Sequence, residues 1–580
     1  MKTFARTQKK HWVISPASPE AQNLAKSLKV SNLVAQVLIN RGITEQASCL
    51  SFLKPKLTGL FKPERMPGVT EAMPKIKEAI EKHQKITLYG DYDVDGITGI
   101  SILWQILKLV GADVDFYIPH RLDEGYGLNE QALSSIAKNG TKLLITIDCG
   151  ITAVEAVAAA NGMKMDVIVT DHHHPGPELP EAAAIVHPAL DEKYPNQDSC
   201  GALVAYKLAW AIANEFNPGA RLNPELRRFM LNATSLAAIG TVADVVDLRG
   251  ENRIVTSYGL KSLPHCELPG IQALIETAEL LGRGLDSYHI GFRLAPMLNA
   301  AGRMGHARLA VELLTSDSKI RAMQIGQYLK EQNEKRRSHE RRILRQACEL
   351  VTQRGLNHPD RKTIFLAGEM WHGGVVGIVA SRIAEKYFRP TVMIDTSESI
   401  ARGSARSIPG FDLFSAISAC SEYLDQFGGH EMAAGVTLSS ENVEPFAAAL
   451  EEYAGQYLSQ EDIIDKLNID AEVKLSQLRE KTVCQLEKLE PFGQGNPRPV
   501  FASRGVRLAA PPRTVGARND HLQLVITDNA TTVRCIGFRM GKLEKKLLEN
   551  DYFNIAYEPQ MNHYNGSSHV QFVISDISFD

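Results

Sequence analysis

Three times in one stretch of this chain, an apolar run of strand character ends on a cluster of carboxylates or histidines. ITLY (86–89) leads into GDYDVDG, LLITI (143–147) into DCG, and DVIVT (166–170) into DHHHPG. Helix-like sequence follows the first two, so the pattern reads as successive βα units of a parallel sheet. In such sheets ligands bind in the crevice beyond the carboxyl ends of the strands. Three strand tips can therefore gather Asp91, Asp93, Asp95, Asp148, Asp171, His172 and His173 from distant parts of the sequence. The expected fold is α/β, with its chemistry on one edge of the sheet.

That residue set is the chemistry of a metal site. Oxygen-rich sites suit Mg²⁺ or Mn²⁺, and an added imidazole moves the preference toward Mn²⁺ or another transition ion. The carboxylates exceed what one ion needs, whereas two ions roughly 3.5–4 Å apart and bridged by a shared Asp use them all. Any one Asp after a strand also reads as a turn residue or helix cap, and His172, His173 and His174 also read as a solvated loop. Recurrence at three strand tips favours the metal reading. A further apolar run, SLAAIGTVADVV (235–246), is strand-like or helical and carries Asp244. A buried lone carboxylate is costly unless paired or bound to metal. The expected ligands are thus Asp91, Asp93, Asp95, Asp148, His172 and Asp244, holding two divalent ions, Mn²⁺ or Mg²⁺.

At 580 residues and 44% hydrophobic, the chain can bury several cores, and domain statistics give roughly three to four units. A net charge of −3 neither requires nor excludes a nucleic-acid partner, because distribution decides that. The N-terminus MKTFARTQKKHWVISP has no apolar h-region, and no segment reaches the ~20 apolar residues of a membrane span; the expected location is the cytosol. Eight cysteines stand singly without a CxxC pair, which argues against a disulfide framework or structural zinc and for small buried hydrophobes. Cys149 lies beside a candidate ligand and is also read as packing.

Residues 1–70 read as an N-terminal helical extension and 71–316 as the metal-bearing domain. Residues 317–355 read as a connecting helix: 317–354 holds no proline and only Gly326, with a cap at Asp317 or Ser318 and an end before Gly355. Between 319 and 345 nine Lys or Arg face Glu331, Glu334 and Glu340; such a run is either a solvated face or a stripe toward a polyanion. A second α/β domain follows at 356–455, with strands IFLAG (364–368) and TVMID (391–395). Its glycine-rich turns allow close phosphate approach, and Arg382 and Arg406 offer bidentate charge. Between Glu441 and Glu472 nine carboxylates stand against Lys466, a poor phosphate surface, and 456–499 reads as a linker and packing segment. Residues 500–580 alternate apolar and polar in five short runs, as in an oligonucleotide-binding (OB) barrel. Ten basic residues against three acidic ones between Arg498 and Lys546, with Phe and Tyr nearby, suit single strands; a structural barrel is the other reading.

GDYDVDG, TIDCG, TDHHHPG and GTVADVV resemble the four motifs of the DHH phosphoesterase superfamily, in order and spacing. IPHRLDEGYGLN (118–129), CGALVAYKLAW (200–210), LAPMLNAAGRM (294–304), WHGGVVGIVASR (371–382), GSARS (403–407), GGHEMAAG (428–435) and LEPFGQGNPRPVF (489–501) extend the likeness over nearly the whole chain. The full series resembles the single-strand-specific 5′→3′ exonuclease branch. The resemblance implies a DHH domain joined by a long helix to a DHH-associated domain, then an OB barrel. It implies hydrolysis of single-stranded DNA to mononucleotides in recombination and mismatch repair, after a helicase, with single-strand-binding protein as partner. Asp95, Asp148, His172 and His173 take the catalytic roles, His173 as donor to a phosphate oxygen. Arg121, Arg303 and Ser381 are candidates for a 5′-terminal phosphate, and Trp371, Arg382, Arg406, Gly429 and His430 for further substrate contacts. One departure is visible: VVDL stands where the family has VVPL, and Asp247 is expected to be an exposed variation. Two rivals share these residues, a phosphoesterase of short oligonucleotides or cyclic dinucleotides and a non-cleaving single-strand scaffold.

Overall fold

The computed structural model describes residues 10–579 apart from 121–123, 126, 218, 220 and 565–566. It divides into two compact units, one formed by residues 50–335 with 490–497, the other by residues 1–49, 336–489 and 498–580.

The first unit is built on a five-stranded parallel sheet, in the order Val114–Tyr117, Lys85–Gly90, Thr141–Ile147, Asp166–Thr170, Ala184–Val186. Successive side chains of a strand point to opposite faces, and both faces here are apolar. Ile86, Leu88, Leu143, Ile145, Ile147 and Ile168 enter one core with the helices Val94–Leu109, Gly201–Glu215 and Pro224–Ala243. Tyr89, Leu144, Val167 and Val169 enter a second core with Glu130–Lys138 and Val154–Gly162. Double burial explains why these strands read as continuous apolar runs. The chain leaves Lys85–Gly90 for a neighbour on one side, then returns to pair Thr141–Ile147 on the other. The strand order reverses there, and the two carboxyl ends at the reversal carry Asp91 and Asp148. SLAAIGTVADVV, left open between strand and helix by its pattern, lies in the helix Pro224–Ala243, with Asp244 as its C-cap.

In the second unit a mixed five-stranded sheet runs Gln426–His430, Ala433–Ser439, Ile400–Arg406, Thr391–Asp395, Ile364–Gly368. Helix Gly373–Tyr387 packs on one face, Leu413–Ala419 and Val443–Tyr457 on the other. The C-terminal strands Phe501–Val515, His521–Thr527, Thr532–Gly537, Ser567–Ser578 and Phe553–Tyr564 close into a barrel, because the last pairs back onto the first. The first barrel strand runs on to Val515, past the VFASRGVRL run. Pro511 and Pro512 are accommodated where its register shifts between Ala510 and Arg513, since proline cannot donate to a ladder.

The N-terminal stretch is not purely helical. His11–Ile14 is a strand paired in parallel with Lys466–Ile469, and Ala471–Glu472 pairs with Phe501–Ala502. The segment read as a linker thus supplies strands to two sheets, in pieces too short to show a period. The long helix is Lys319–Gln353, and the division between the units falls within it. Several of its cations are engaged locally. Arg321 pairs with Glu312 at 2.7 Å, Lys330 with Glu279 at 2.8 Å, and Arg336 with Glu340 at 3.2 Å. All eight cysteines are free, and Cys484 alone of them is exposed. Cys149 is 1% exposed in the second core of the parallel sheet. No described helix is long and apolar enough to cross a membrane.

Candidate metal centre

The GDYDVDG segment turns directly from strand into helix, and each of its acids is fixed differently. Asp91 is buried at the strand end. Asp93 is the N-cap of Val94–Leu109, its Oδ1 accepting from the Asp95 and Gly96 N–H at 2.9 and 3.1 Å. Asp95, in the first turn of the helix and 1% exposed, accepts from the backbone N–H of Gly201 at 2.5 Å and of Ala202 at 2.9 Å. Those donors are the first residues of Gly201–Glu215, whose unsatisfied amides and dipole favour a carboxylate. CGALVAYKLAW therefore holds Asp95 in place, a role that its apolar sequence does not reveal.

Asp148 follows its strand with φ +62°, a left-handed conformation that Asp and Asn tolerate better than other side-chain-bearing residues. Its backbone N–H donates to Thr170 O at 3.0 Å, tying the tips of adjacent strands. His172 Nε2 lies 3.0 Å from Asp148 Oδ1, 3.7 Å from Asp244 Oδ2 and 3.8 Å from Asp95 Oδ2. Three overlapping groups have ligand atoms within 4.8 Å of one another: Asp91–Asp93–Asp148, Asp95–His172–Asp244 and Asp148–His172–His173. All six expected ligands are brought together, with Asp148 and His172 each shared between two groups. Asp171 is different: Oδ1 accepts from His173 Nδ1 at 2.7 Å and the His172 N–H at 2.8 Å, and Oδ2 from the Ile151 N–H at 2.9 Å. It positions the histidines.

Burial first, then repulsion from neighbouring carboxylates, pushes Asp95 and Asp244 up to about 7 and raises Asp148 well above the carboxylate range. Burial lowers His172, favouring the neutral imidazole that ligates metals. Burial also opposes protonation of His173, but the hydrogen bond and charge of Asp171 outweigh it and hold His173 up at about 9. His172 Nε2 and Asp244 Oδ2 are buried without a hydrogen-bond partner, and such atoms demand an explanation.

Two glycines set the spacing. A Cβ at Gly201 would stand 2.9 Å from Asp95 Oδ2, and one at Gly240 only 2.7 Å from Asp95 Oδ1 and in collision with Ala202 Cβ. Gly240→Ala is expected to displace Asp95 and weaken Mn²⁺ binding roughly 10–100-fold, the usual cost of disturbing ligand support. Calorimetric titration of the folded variant checks this.

The other candidates divide. Gly302, just before Arg303, packs against Tyr92 O, where a Cβ would stand 2.6 Å away, so Arg303 ends a helix seated on the Asp91–Asp93 loop. Arg121 lies outside the described residues. In the second unit Arg406 donates to Ser381 Oγ at 3.1 Å and Ser404 Oγ at 2.8 Å. Ser404, which the sequence reading passed over within GSARS, completes that cluster. Arg382 is paired with Glu340, which is 2% exposed and also holds Arg336. Trp371 is 2% exposed and belongs to a hydrophobic core, where a Cβ on Gly368 would strike its ring. Its ring packs there while the indole N–H donates to Gln346 Oε1 at 3.3 Å. Gly429 and His430 are exposed on an edge strand. Asp247 is not simply exposed. Its carboxylate lies against Gly495, at φ +65°, and its carbonyl accepts from Asn252 Nδ2 at 2.9 Å, because the turn after Asp244 folds onto the 490–497 segment.

Comparison with known proteins agrees with this geometry. Family models match as DHH family, N-terminal domain (residues 85–234), DHHA1 domain (360–456) and RecJ OB domain (469–576). The chain is 38% identical to the single-stranded-DNA-specific exonuclease RecJ of Bacillus subtilis, over 98% of this chain and 71% of the relative. Identity to the same-named protein of Haemophilus influenzae is 30%, over 90% and 92%. The crystal structure of Thermus thermophilus RecJ in complex with Mn²⁺ superposes with a TM-score of 0.84 at 29% identity, covering 98% of this chain and 79% of that one. Its complex with Mg²⁺ gives 0.78 at 28%, covering 98% and 78%. With the three domain models in series and this identity along its whole length, the chain belongs to the RecJ family of single-stranded-DNA-specific exonucleases.

Proposed function

We propose that the chain hydrolyses single-stranded DNA from its 5′ end to mononucleotides, using two divalent ions, Mn²⁺ or Mg²⁺, at the Asp–His cluster. The observation that carries this is the convergence of Asp91, Asp93, Asp95, Asp148, His172 and Asp244 in overlapping groups within 4.8 Å. The donor set fits such ions: hard carboxylate oxygens, one neutral imidazole, and buried His172 Nε2 and Asp244 Oδ2 atoms without a hydrogen bond. Family membership supports the substrate, and the polarity follows the motif resemblance.

Bound there, divalent ions supply an activated water and offset charge on phosphate and leaving oxygen. The protein's part is to hold the geometry. Asp93 is fixed as a helix cap and Asp95 by two backbone amides, so neither must reorganise during reaction. His173, its Nδ1 held by Asp171 Oδ1 at 2.7 Å, presents its second ring nitrogen to a phosphate oxygen. Arg121, Arg303 and Ser381 with Arg406 bind phosphate, the guanidinium forks matching its oxygens; His430 and Gly429 present a further polar edge. The barrel binds single-stranded DNA.

We place this activity in the cytoplasm, in recombination and mismatch repair, acting on strands exposed by a helicase and covered by single-strand-binding protein; the family supports that setting. The test is digestion of 3′-labelled oligonucleotides, single-stranded or duplex, with Mn²⁺, Mg²⁺ or EDTA. Metal-dependent shortening of the single strand alone from its 5′ end is expected. Binding without cleavage would point to a scaffold, and hydrolysis of dinucleotides only to a small-substrate phosphoesterase.

A further inference from the structure

One buried histidine that touches the metal-centre loop has no part in the proposed hydrolysis. His187 follows the strand Ala184–Val186 and is 0% exposed. Fourteen residues separate it from His173, yet its Nε2 lies 2.8 Å from the His173 carbonyl oxygen. Its Nδ1 accepts from the Ala189 N–H at 3.1 Å, capping the short turn Pro188–Leu190.

These partners fix the state of the ring. A carbonyl oxygen only accepts and a backbone N–H only donates, so Nε2 carries the hydrogen and Nδ1 is bare. Burial lowers the proton affinity of His187 in the same sense. The neutral ring makes two bonds at once, one to its own turn and one to the loop after Thr170.

The second bond is the one the fold does not need. Residues 173–175 are exposed, and a carbonyl in such a loop can be served by water. Here it is taken by a buried side chain, on a residue whose own backbone N–H donates to Pro67 O at 3.2 Å. His173 is thereby held from both sides. Asp171 Oδ1 accepts from its backbone N–H at 3.2 Å and binds its Nδ1 at 2.7 Å, while His187 holds its carbonyl. A side chain 45% exposed is aimed by such bonds more than by packing.

We propose that His187 is a positioning residue for the hydrolytic reaction, holding the His173 carbonyl so that the His173 ring meets the phosphate oxygen. This rests on the reading of His173 as a phosphate partner and names the residue that aims it.

Two substitutions separate the two bonds. In His187→Asn, Oδ1 takes the place of Nδ1 and keeps the cap on Ala189, but the side chain is too short to reach His173 O. In His187→Gln, Nε2 keeps the reach to His173 O and the cap is lost. On a single-stranded oligonucleotide with saturating Mn²⁺, kcat of His187→Asn is expected to fall about 10–100-fold, the usual cost of disturbing such support, with KM, Mn²⁺ affinity and unfolding midpoint unchanged. His187→Gln is expected to recover most of that loss. In a His173→Ala background, His187→Asn is expected to have no further effect, because the ring it aims is gone. Normal turnover of His187→Asn, greater damage from His187→Gln, or a His187→Asn loss that persists without the His173 ring would overturn the proposal and leave a structural cap. If His187→Asn does not fold, His187→Gln decides: near-normal turnover supports the tie, and a loss of about tenfold or more overturns it. A His173→Ala variant as active as wild type would instead sink the reading of His173, and the role of His187 with it.

Discussion

Asp148→Asn is expected to leave the protein folded and to cut nuclease activity on the order of a thousandfold. Asp148 is shared between two ligand groups and stands 3.0 Å from His172, so its charge serves both proposed ions. Loss of several kcal/mol of charge stabilisation, at 1.36 kcal/mol per tenfold, gives that magnitude. Asparagine keeps the size and tolerates the left-handed backbone at φ +62°, so the fold is not what is tested. Asp148→Val would add strain to lost charge, and its lower stability would confuse the reading. Activity with saturating Mn²⁺, alongside an unchanged unfolding midpoint, makes the measurement; near-normal turnover of Asp148→Asn would remove Asp148 from the chemistry.

The largest effect on stability is expected at Lys207, one turn beyond the end of CGALV. Lys207 and Glu251 are 0% and 1% exposed and form an ion pair. Lys207 Nζ also donates to Phe61 O at 2.6 Å, while Glu251 accepts from the Phe61 N–H at 2.7 Å and Tyr194 Oη at 2.5 Å. Lys207→Met leaves Glu251 charged and buried, a loss of about 3–5 kcal/mol. Adding Glu251→Gln removes the uncompensated charge, so the double variant is expected to recover part of that loss. Hydrogen exchange in the helix Gly201–Glu215, followed by mass spectrometry, reads the effect within its own unit. A Lys207→Met variant with wild-type protection would show that the pair is not holding Phe61 and Tyr194 in place.

The metal centre was legible because its ligands sit at the ends of doubly buried strands, where apolar runs mark position and acids interrupt them. DVIVT is the strand Asp166–Thr170 to the residue. Asp244 was legible from the cost of its burial, although its run proved helical, since an apolar run buried all round has no period with which to distinguish strand from helix. What holds Asp95 was hidden. Its partners are backbone amides of Gly201 and Ala202, and amides leave no trace in side-chain pattern. Gly201 and Gly240 carry the same information as missing atoms, visible only when a Cβ is placed against Asp95. Trp371 and Arg382 show the converse difficulty. The motif says nothing of their local partners, which engage the indole in a core and the guanidinium with Glu340. The pairing of His11–Ile14 with Lys466–Ile469 joins four-residue segments hundreds of positions apart, beyond the reach of any local pattern.

The central claim is that the Asp–His cluster holds two ions, and Mn²⁺ binding to the wild-type chain tests it most directly. Calorimetry gives the stoichiometry and electron paramagnetic resonance the coupling between ions. Two Mn²⁺ per chain, with the exchange coupling of ions roughly 3.5–4 Å apart, lost in Asp148→Asn, is the predicted result. A single uncoupled ion, or binding indifferent to Asp148, would contradict the two-ion centre.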